Sequence, residues 1–540
     1  MKQISLITFI ILTTIFITSS PFIFGLLDTP KGTSYLGTHF LNSGDTFAYY
    51  GLYTQVKHGD FLFFNPYTPE KHSAIFFRPT FFLALLIFKI FSTNTITAYH
   101  FFRIIFGIIL LITLFNFIKL FFNKNKYFLF IFTLVIFGSG LGWLTINHIK
   151  DTLDLWIPET NVFLSLMEAP HFQFSLILIL IIFGLWIKNF EKPSLIRSIT
   201  SSILAFILFF CHPFDAPLLY LTLIIYSLII ILLKISFNKK SAILYLCLFI
   251  LFSSIPIIYQ SYLIKINIIA KYWAIQNINT SPSIRGLISG LGIWMPLGIA
   301  GLFFSIKKKD KNIILISSWA ISYLLLIYFP VNIQRRFLEG LFIPYIILSC
   351  YFIFNILLSY SYFNKKNIRL LFLLFLIILL FTSSYSNLIL LKIDYTKLTN
   401  NKYLPFYADN NLIKGLKWLQ NYDNNLKTIL ANWDISYLLP SYIYGQTLWG
   451  HKVQTIKLYE KEIEINDYFN NKLDDIERKK FYKKYNIKYL IWDKIDIQKH
   501  YKPENDIYLK KIYYENYIQI YKINLISELC ALPSDFYCLK

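Results

Sequence analysis

Long apolar segments separated by short polar connections make up the chain from Ile4 to Leu391. Most of these segments hold about 20 residues, enough for a helix to cross a hydrocarbon core about 30 Å thick. The pattern predicts a polytopic α-helical membrane domain over residues 1–391, with about eleven transmembrane helices. The predicted spans are roughly residues 4–27, 99–122, 127–147, 171–188, 196–211, 216–236, 241–261, 286–306, 313–330, 338–360 and 369–391.

Beyond Leu391 the long apolar segments stop, and residues 392–540 are rich in Lys, Asn, Tyr and Asp. Short stretches with the period of a helix or of a strand follow one another there, which predicts a C-terminal domain of mixed α/β structure. The predicted elements are a helix at 411–421, a strand at 428–431, a helix at 475–485, a strand at 488–492 and a hairpin at 507–523.

The basic connections indicate which ends of the spans lie in the cytoplasm. Short clusters that are basic and nearly free of acidic residues occur at 123–126, 188–197, 239–240, 307–311 and 365–369. Because short basic loops stay on the cytoplasmic side, loops 28–98 and 148–170, with their acidic and His residues, are predicted on the outer face. Eleven crossings from a cytoplasmic N-terminus also place the C-terminal domain outside the plasma membrane.

One apolar segment, residues 77–91, is predicted not to cross the membrane. A crossing there would move every later basic cluster to the outer face, against the usual distribution of Lys and Arg. We therefore predict a helix that dips into the membrane or lies at its outer surface, beginning at Arg78 and Pro79 and carrying Lys89.

Composition supports a membrane protein and excludes a soluble one, because 56% of the residues are hydrophobic and only 15% are charged. The net charge of +22 lies largely in the loop clusters, so topology explains it without nucleic acid as a partner. Cys530 and Cys538 lie in the C-terminal domain, where a disulfide is permitted if that domain is outside the cytoplasm.

Asp45 is the candidate of greatest interest in the first outer loop, within the sequence from Gly44 to Tyr50. A carboxylate just outside a span can bind a divalent cation, act as a general base or simply face water. The residues that follow, Thr46 to Val56, have the pattern of an amphipathic helix. Such a helix would hold Asp45 at the membrane surface.

Glu168 and His171 occur where the fourth span begins, at a boundary where polar groups need partners or a water-filled cavity. For Glu168, helix capping and catalysis remain equally open, whereas Glu159 in the same loop is interpreted as a cap.

His212 and Asp215 lie in a very tight connection between two spans, where Pro213 and Pro217 favour a turn. Asp215 could cap the next helix. The turn nevertheless holds both side chains rigidly at the mouth of the helix bundle.

Arg335 and Arg336 enter the tenth span from the outer side, where basic residues are unusual. Adjacent arginines suit bidentate binding of a phosphate. An ion pair with Glu339 or with a loop carboxylate is the alternative.

The order of these residues resembles that of membrane glycosyltransferases of the GT-C fold, which use lipid-phosphate sugars. This group includes the protein O-mannosyltransferases, the aminoarabinose transferase of lipid A and the catalytic subunit of oligosaccharyltransferase. The resemblance rests on Asp45 after the first span, Arg78-Pro79, Arg103 at the head of the next span, and Glu168-Ala-Pro-His171. The segment from Leu416 to Asp434 also resembles the start of the outer domain of oligosaccharyltransferase subunits.

The resemblance implies Asp45 as the base or a metal-adjacent carboxylate, and Arg335 or Arg336 as the residue that holds the donor phosphate. The sequence departs from the family in having no clear Asp-x-Asp pair in the second outer loop, so dependence on Mg²⁺ or Mn²⁺ stays open. It also has Asn432-Trp-Asp-Ile-Ser436 in place of Trp-Trp-Asp-Tyr-Gly, which makes peptide N-glycosylation an unlikely activity.

The sequence therefore predicts a glycosyltransferase that moves a sugar from a polyprenyl-phosphate donor to a glycan, lipid or protein acceptor at the outer face. The predicted site residues are Asp45, Glu168 and His171 for catalysis, Arg78, His212, Asp215, Arg335 and Arg336 for substrate binding, and Asp45 and Glu168 as metal candidates. Two other classes remain open. A transporter or lipid flippase would carry ionisable residues in mid-span and an internal repeat, and a non-catalytic assembly protein would tolerate loss of Asp45.

Overall fold

The computed structural model describes residues 2–81, 94–123, 125–235, 239–359, 366–496 and 499–525. Eight of the described helices are long and apolar enough to cross a membrane, or nine if one bent pair is a single span. Two shorter apolar helices, Leu195–Cys211 and Lys311–Leu326, coincide with two further predicted spans. The chain is an integral membrane protein, and the count of eleven crossings stays a prediction.

The spans of the membrane domain are formed by helices, some of them interrupted. Its helices are α1 (Lys2–Leu27), α2 (Ser43–His58), α3 (Thr95–Phe122), α4 (Phe128–Phe137), α5 (Gly142–Thr145), α6 (Leu153–Trp156), α7 (Val162–Met167), α8 (Pro170–Glu191), α9 (Leu195–Cys211), α10 (Asp215–Leu232), α11 (Lys239–Ser253), α12 (Ile255–Ile266), α13 (Ile268–Gln276), α14 (Ile284–Leu291), α15 (Trp294–Lys307), α16 (Lys311–Leu326), α17 (Phe342–Cys350) and α18 (Lys366–Asn400). Short 3₁₀ turns at Pro158–Thr160 and Gln334–Leu338 lie in the connections, and a π turn at Tyr351–Ile356 continues α17.

The C-terminal domain is built on a five-stranded sheet. Its elements are β2 (Tyr407–Asp409), α19 (Asn410–Tyr422), β3 (Thr428–Leu430), α20 (Trp433–Leu438), β4 (Gln446–Thr447), α21 (Leu458–Phe469), α22 (Asp475–Lys484), β5 (Ile487–Trp492), β6 (Leu509–Glu515) and β7 (Ile518–Ile523). The strand order is β4-β3-β5-β7-β6, in which β3 runs parallel to β4 and β5, and β7 is antiparallel to β5 and β6. These elements match the predicted helices, strands and hairpin closely.

The two domains are joined by backbone pairing and by packing. Strand β1 (Thr33–Tyr35) of the first loop pairs with β2 in antiparallel fashion, with Thr33 opposite Asp409. The main hydrophobic core contains buried residues of both domains, among them Phe47 of α2 and Ile435 of α20. The C-terminal domain is therefore fixed against the loop that carries Asp45.

The span predicted over residues 286–306 is not straight. Helices α14 and α15 meet at an angle of 79°, and the break lies at Gly292, which has a φ of +54°. A Cβ atom at Gly292 would lie 2.7 Å from a side-chain atom of Leu141. Apolar composition is the same for a straight and a bent helix pair, so hydropathy alone could not show the break.

Two predictions fall outside the described part of the chain. Residues 82–93, which form most of the predicted surface helix, and the pair Cys530 and Cys538 are not among the described residues.

Candidate active site

A cavity of about 210 Å³ lies where the membrane helices meet the C-terminal domain. It is lined by six of the eight predicted site residues, which come from loops and helix ends far apart in the sequence: Asp45, Arg78, His171, His212, Arg335 and Arg336. His451, from the C-terminal domain, completes its polar wall. The six residues that were predicted to lie on the same face of the membrane therefore line one cavity.

Helix α2 holds Asp45 in its first turn. A helix N-terminus favours a negative charge, because unpaired backbone N–H groups point toward it. The buried face of the helix is fixed by Tyr50, whose hydroxyl donates to the carbonyl oxygens of Leu36 and Gly37 at 3.2 and 3.0 Å. The Asp45 side chain remains 32% exposed and is open to the cavity.

Helix α20 passes very close to Gly44, the residue before Asp45. A Cβ atom at Gly44 would lie 1.2 Å from the hydroxyl oxygen of Tyr437. The ring of Tyr437 also packs against Phe47 of α2, with ring centroids 5.5 Å apart. The C-terminal domain therefore packs directly against the segment that contains Gly44 and Asp45.

His451 contacts Asp45 directly, with 3.2 Å between Nε2 of His451 and Oδ1 of Asp45. The other ring nitrogen of His451, Nδ1, accepts from the backbone N–H groups of Val453 and Gln454, each at 3.2 Å. Since Nδ1 is the acceptor, Nε2 carries the proton and donates to the carboxylate. Burial opposes ionisation of Asp45, but the hydrogen bond from His451 and the charge of Arg336 hold the pKa of that carboxyl below its ordinary value.

His171 is the second residue of α8, where Pro170 occupies the first position of the helix. Its Nε2 lies 3.5 Å from the hydroxyl of Tyr49, one turn along α2 from Asp45. The two rings meet edge to face, with centroids 4.8 Å apart. Tyr49 and His171 thus place two polar groups beside the carboxylate.

The adjacent arginines share a buried carboxylate, and it is Glu159 rather than Glu339. Oε1 of Glu159 lies 3.7 Å from Nε of Arg335 and 3.6 Å from an Nη atom of Arg336. Glu159 is only 1% exposed. It does not cap the helix after it, because the Asn161 side chain accepts from the N–H of Leu164 and takes that role.

Arg78 also lines the cavity, close to the apolar residues Phe76 and Phe77. The ion pairs found among the described residues do not include it. Burial lowers the pKa of Arg78. The cavity is lined by three arginines and by one acidic residue, Asp45. This excess of positive charge favours the binding of an anion.

His212 and Asp215 interact with each other and with Glu339. Nδ1 of His212 lies 3.0 Å from Oδ2 of Asp215 and 2.9 Å from Oε2 of Glu339. Burial alone would lower the pKa of His212, but the two carboxylates raise it to about 10. Neither carboxylate oxygen of Asp215 accepts a hydrogen bond from the start of α10.

Glu168 lies apart from the residues that line the cavity. Its Oε2 is 3.3 Å from Nε2 of His39, whose Nδ1 is 3.9 Å from Oδ2 of Asp394. Burial opposes protonation of His39, but the charge and hydrogen bond of Glu168 raise its pKa. Glu168 is thus paired with His39 and does not line the cavity, and its role in catalysis or metal binding stays a prediction.

Three residues of this region are not singled out by the sequence pattern. No pattern indicates a role for His451, Glu339 is considered only as an alternative partner of the arginines, and Glu159 only as a helix cap. The short sequence Trp449-Gly450-His451, with Gly450 at a φ of +129°, is the one local signal of an unusual turn at His451.

The fold is similar to solved structures of the archaeal oligosaccharyltransferase AglB from Archaeoglobus fulgidus. The similarity to AglB in complex with an inhibitory peptide and a dolichol-phosphate has a TM-score of 0.57 at 11% identity, over 90% of this chain and 69% of that one. The apo form gives a TM-score of 0.58 at 11% identity with the same coverage. Mycobacterial arabinofuranosyltransferase AftD gives 0.54 at 12% identity, over 96% of this chain and 41% of that one.

The chain has the GT-C fold. No family model matches the sequence, and no curated protein matches it. At this level of sequence identity the comparison shows a shared fold only, so the activity is argued from the residues of the cavity.

Proposed function

We propose that the chain is a membrane glycosyltransferase that transfers a sugar from a polyprenyl-phosphate donor to an acceptor at the outer face of the plasma membrane. The observation that carries the proposal is the meeting of Asp45 with Arg78, Arg335 and Arg336 around one cavity. A carboxylate that can take a proton and cations that can hold a leaving phosphate are the two requirements of this reaction.

The arginines are the proposed binding site for the donor phosphate. Glu159 compensates part of the charge of Arg335 and Arg336, yet both side chains remain partly exposed, at 30% and 17%. Arg78 brings a further guanidinium to the same space. Planar guanidinium groups bind phosphate oxygens through paired hydrogen bonds, which suits a phosphate rather than a neutral sugar.

The apolar part of the cavity suits a lipid-linked donor. Leu263 and Ile264 of α12 and Trp273 of α13 line it on one side, and Ile264 is exposed at its edge. A polyprenyl chain needs an apolar path that begins next to its phosphate, and these residues supply one. The dolichol-phosphate in the AglB complex supports this kind of donor for the shared fold.

The proposed chemistry is a single displacement at the anomeric carbon of the donor. The acceptor oxygen forms a bond to that carbon as the bond from the carbon to the phosphate oxygen breaks. The bonding electron pair leaves with the phosphate, whose added charge the arginines stabilise. The proton of the acceptor hydroxyl passes to Asp45, which its lowered pKa keeps ionised at neutral pH.

The residues around Asp45 do not fit a bound Mg²⁺ or Mn²⁺ ion. His451 presents an N–H group to the carboxylate rather than a free nitrogen lone pair. Glu168, the other metal candidate, is paired with His39. We therefore derive no step through a metal at Asp45, and the Asp45 carboxylate acts as the base.

Transfer by the purified protein in lipid nanodiscs tests the proposal. A panel of radiolabelled polyprenyl-phosphate sugars is offered with glycan, lipid and peptide acceptors, and labelled product is measured. We expect the wild type to transfer label and Asp45→Asn to lose about 10²–10⁴ in rate while still folding. Asp475→Asn, which removes an exposed carboxylate of α22, is the matched control and should transfer normally.

The same experiment distinguishes the other classes of function. Movement of the labelled lipid between leaflets without transfer would indicate a flippase. Normal transfer by Asp45→Asn would remove Asp45 from the mechanism, and absence of transfer with every donor in the panel would overturn a polyprenyl-phosphate-dependent transferase.

A further inference from the structure

The cluster of His212, Asp215 and Glu339 has the composition and spacing of a metal site. Each side chain offers one ligand atom, and these atoms all lie within 4.8 Å of one another. His212 approaches both carboxylates through the same nitrogen, at 3.0 and 2.9 Å. Separations of about 3 Å are those found between neighbouring ligands of one ion when each metal–ligand bond is about 2.1 Å long.

The two carboxylates of this cluster are buried side by side with few polar groups around them. Asp215 and Glu339 are fully buried, and neither carboxylate has a hydrogen-bond donor among the described residues other than the His212 ring that faces them. A proton on His212 compensates one negative charge, and a second, uncompensated carboxylate is unfavourable in a buried environment. A divalent cation beside a neutral imidazole would compensate both.

We propose that His212, Asp215 and Glu339 bind one divalent transition-metal ion. The ligand set of one imidazole nitrogen and two carboxylate groups suits Mn²⁺ or Zn²⁺, whereas an all-oxygen set would favour Mg²⁺ or Ca²⁺. The site is distinct from Asp45, whose partner is His451. The sequence does not predict this site: it predicts substrate binding for His212 and Asp215, and it offers Glu339 only as an alternative partner of the arginines.

The position of the site gives the ion a structural role. Glu339 directly follows the 3₁₀ turn that carries Arg335 and Arg336. The N–H of Gly340 donates to the backbone carbonyl oxygen of Glu159 at 2.8 Å, so the same segment is tied to the residue whose carboxylate contacts the arginines. A metal that joins Glu339 to the turn at His212 would fix the arginines at the cavity, and this positional role rests on the proposed function.

Metal content of the protein, purified through an affinity tag that contains no histidine, tests the site without a sugar donor. The protein is stripped with a chelator in nanodiscs, re-equilibrated with Mn²⁺ or Zn²⁺ alone, and measured by mass spectrometry of the metal. We expect about one ion per chain in the wild type and loss of that ion in Glu339→Gln and Asp215→Asn. Asp45→Asn should keep the ion.

Electron paramagnetic resonance of the Mn²⁺-loaded wild type supplies a measurement that does not depend on a variant folding. A hyperfine coupling to an imidazole nitrogen is expected, and it should disappear in His212→Gln. The site would be overturned if the stripped wild type took up no ion. It would also be overturned if Asp45→Asn lost the ion while Glu339→Gln retained it. Because no donor is present, failure of the metal site is separate from failure of the proposed transferase activity.

Discussion

His451 of the C-terminal domain donates from Nε2 to Oδ1 of Asp45 across 3.2 Å, and so joins the two domains at the cavity. The backbone N–H groups that hold its Nδ1 set the direction of this donor. Asp45 is therefore kept ionised by a residue that lies 406 positions away in the sequence. This contact makes the C-terminal domain part of the candidate site rather than a separate attachment.

Removal of the His451 ring is expected to change the pH dependence of transfer. His451 helps to hold the Asp45 pKa below its ordinary value, so His451→Ala should raise that pKa. The base is active when ionised, and the acidic limb of the rate profile should move to higher pH. His451→Gln retains an N–H donor, so its acidic limb should lie between those of the wild type and of His451→Ala. An unchanged acidic limb in His451→Ala would contradict this role.

The arginine pair makes a prediction about donor binding. Arg336→Ala leaves Arg335 to compensate Glu159, so the protein should fold, while binding of a polyprenyl-phosphate sugar should weaken by about 1.5–3 kcal/mol, roughly ten- to a hundredfold. Arg336→Lys keeps the positive charge but not the planar guanidinium, so its donor binding should weaken less than that of Arg336→Ala. Titration of labelled donor into nanodiscs measures the effect. The exposed Arg285 supplies the matched control, Arg285→Lys, and equal affinity in all four proteins would remove the phosphate clamp.

Gly44 is predicted to be essential for the packing of the two domains. Gly44→Ala places a methyl group against the hydroxyl of Tyr437, and overpacking of this kind costs about 1–3 kcal/mol. Thermal unfolding should show a lower midpoint for this variant. Gly184→Ala is a suitable control, since its Cβ would meet Leu120 at an ordinary 3.7 Å. A Gly44→Ala midpoint equal to that of the control would show that Tyr437 moves aside without cost.

The orientation of the chain predicts which loops an impermeant thiol reagent reaches in intact cells. In a variant with the five native cysteines replaced, a cysteine in the basic loop 307–311 should stay unlabelled. A cysteine at Asn424, in the C-terminal domain, should be labelled. Labelling of the first position with protection of the second would reverse the predicted topology and move the cavity to the cytoplasmic face.

Much of this architecture follows from local patterns in the sequence. Apolar length identifies the spans, and helix α2 and the hairpin of β6 and β7 occur where the period of their apolar residues predicts them. Asp45 and Arg336 could be predicted on one face, because basic loops indicate the topology and both residues lie in loops of the opposite kind. These inferences need no knowledge of which side chains touch.

The specific pairings could not be obtained in this way. Glu159 and Glu339 are both acids near the arginines, and only the packing of the helices decides that Glu159 is the partner of Arg336. Glu168 precedes His171 by three residues, yet it turns toward His39 while His171 faces the cavity. A one-dimensional pattern gives the depth of a residue in the membrane but not the direction of its side chain.

The pairing of β1 with β2 has a consequence for the order in which the protein matures. Ribosomes make the chain from its N-terminus, so Asp45 and every predicted span exist before the strand that pairs with β1 has been synthesised. The carboxylate meets His451 only after most of the C-terminal domain has emerged. A nascent chain inserted in the membrane thus lacks a complete pocket, which forms only when the C-terminal domain packs against the first loop.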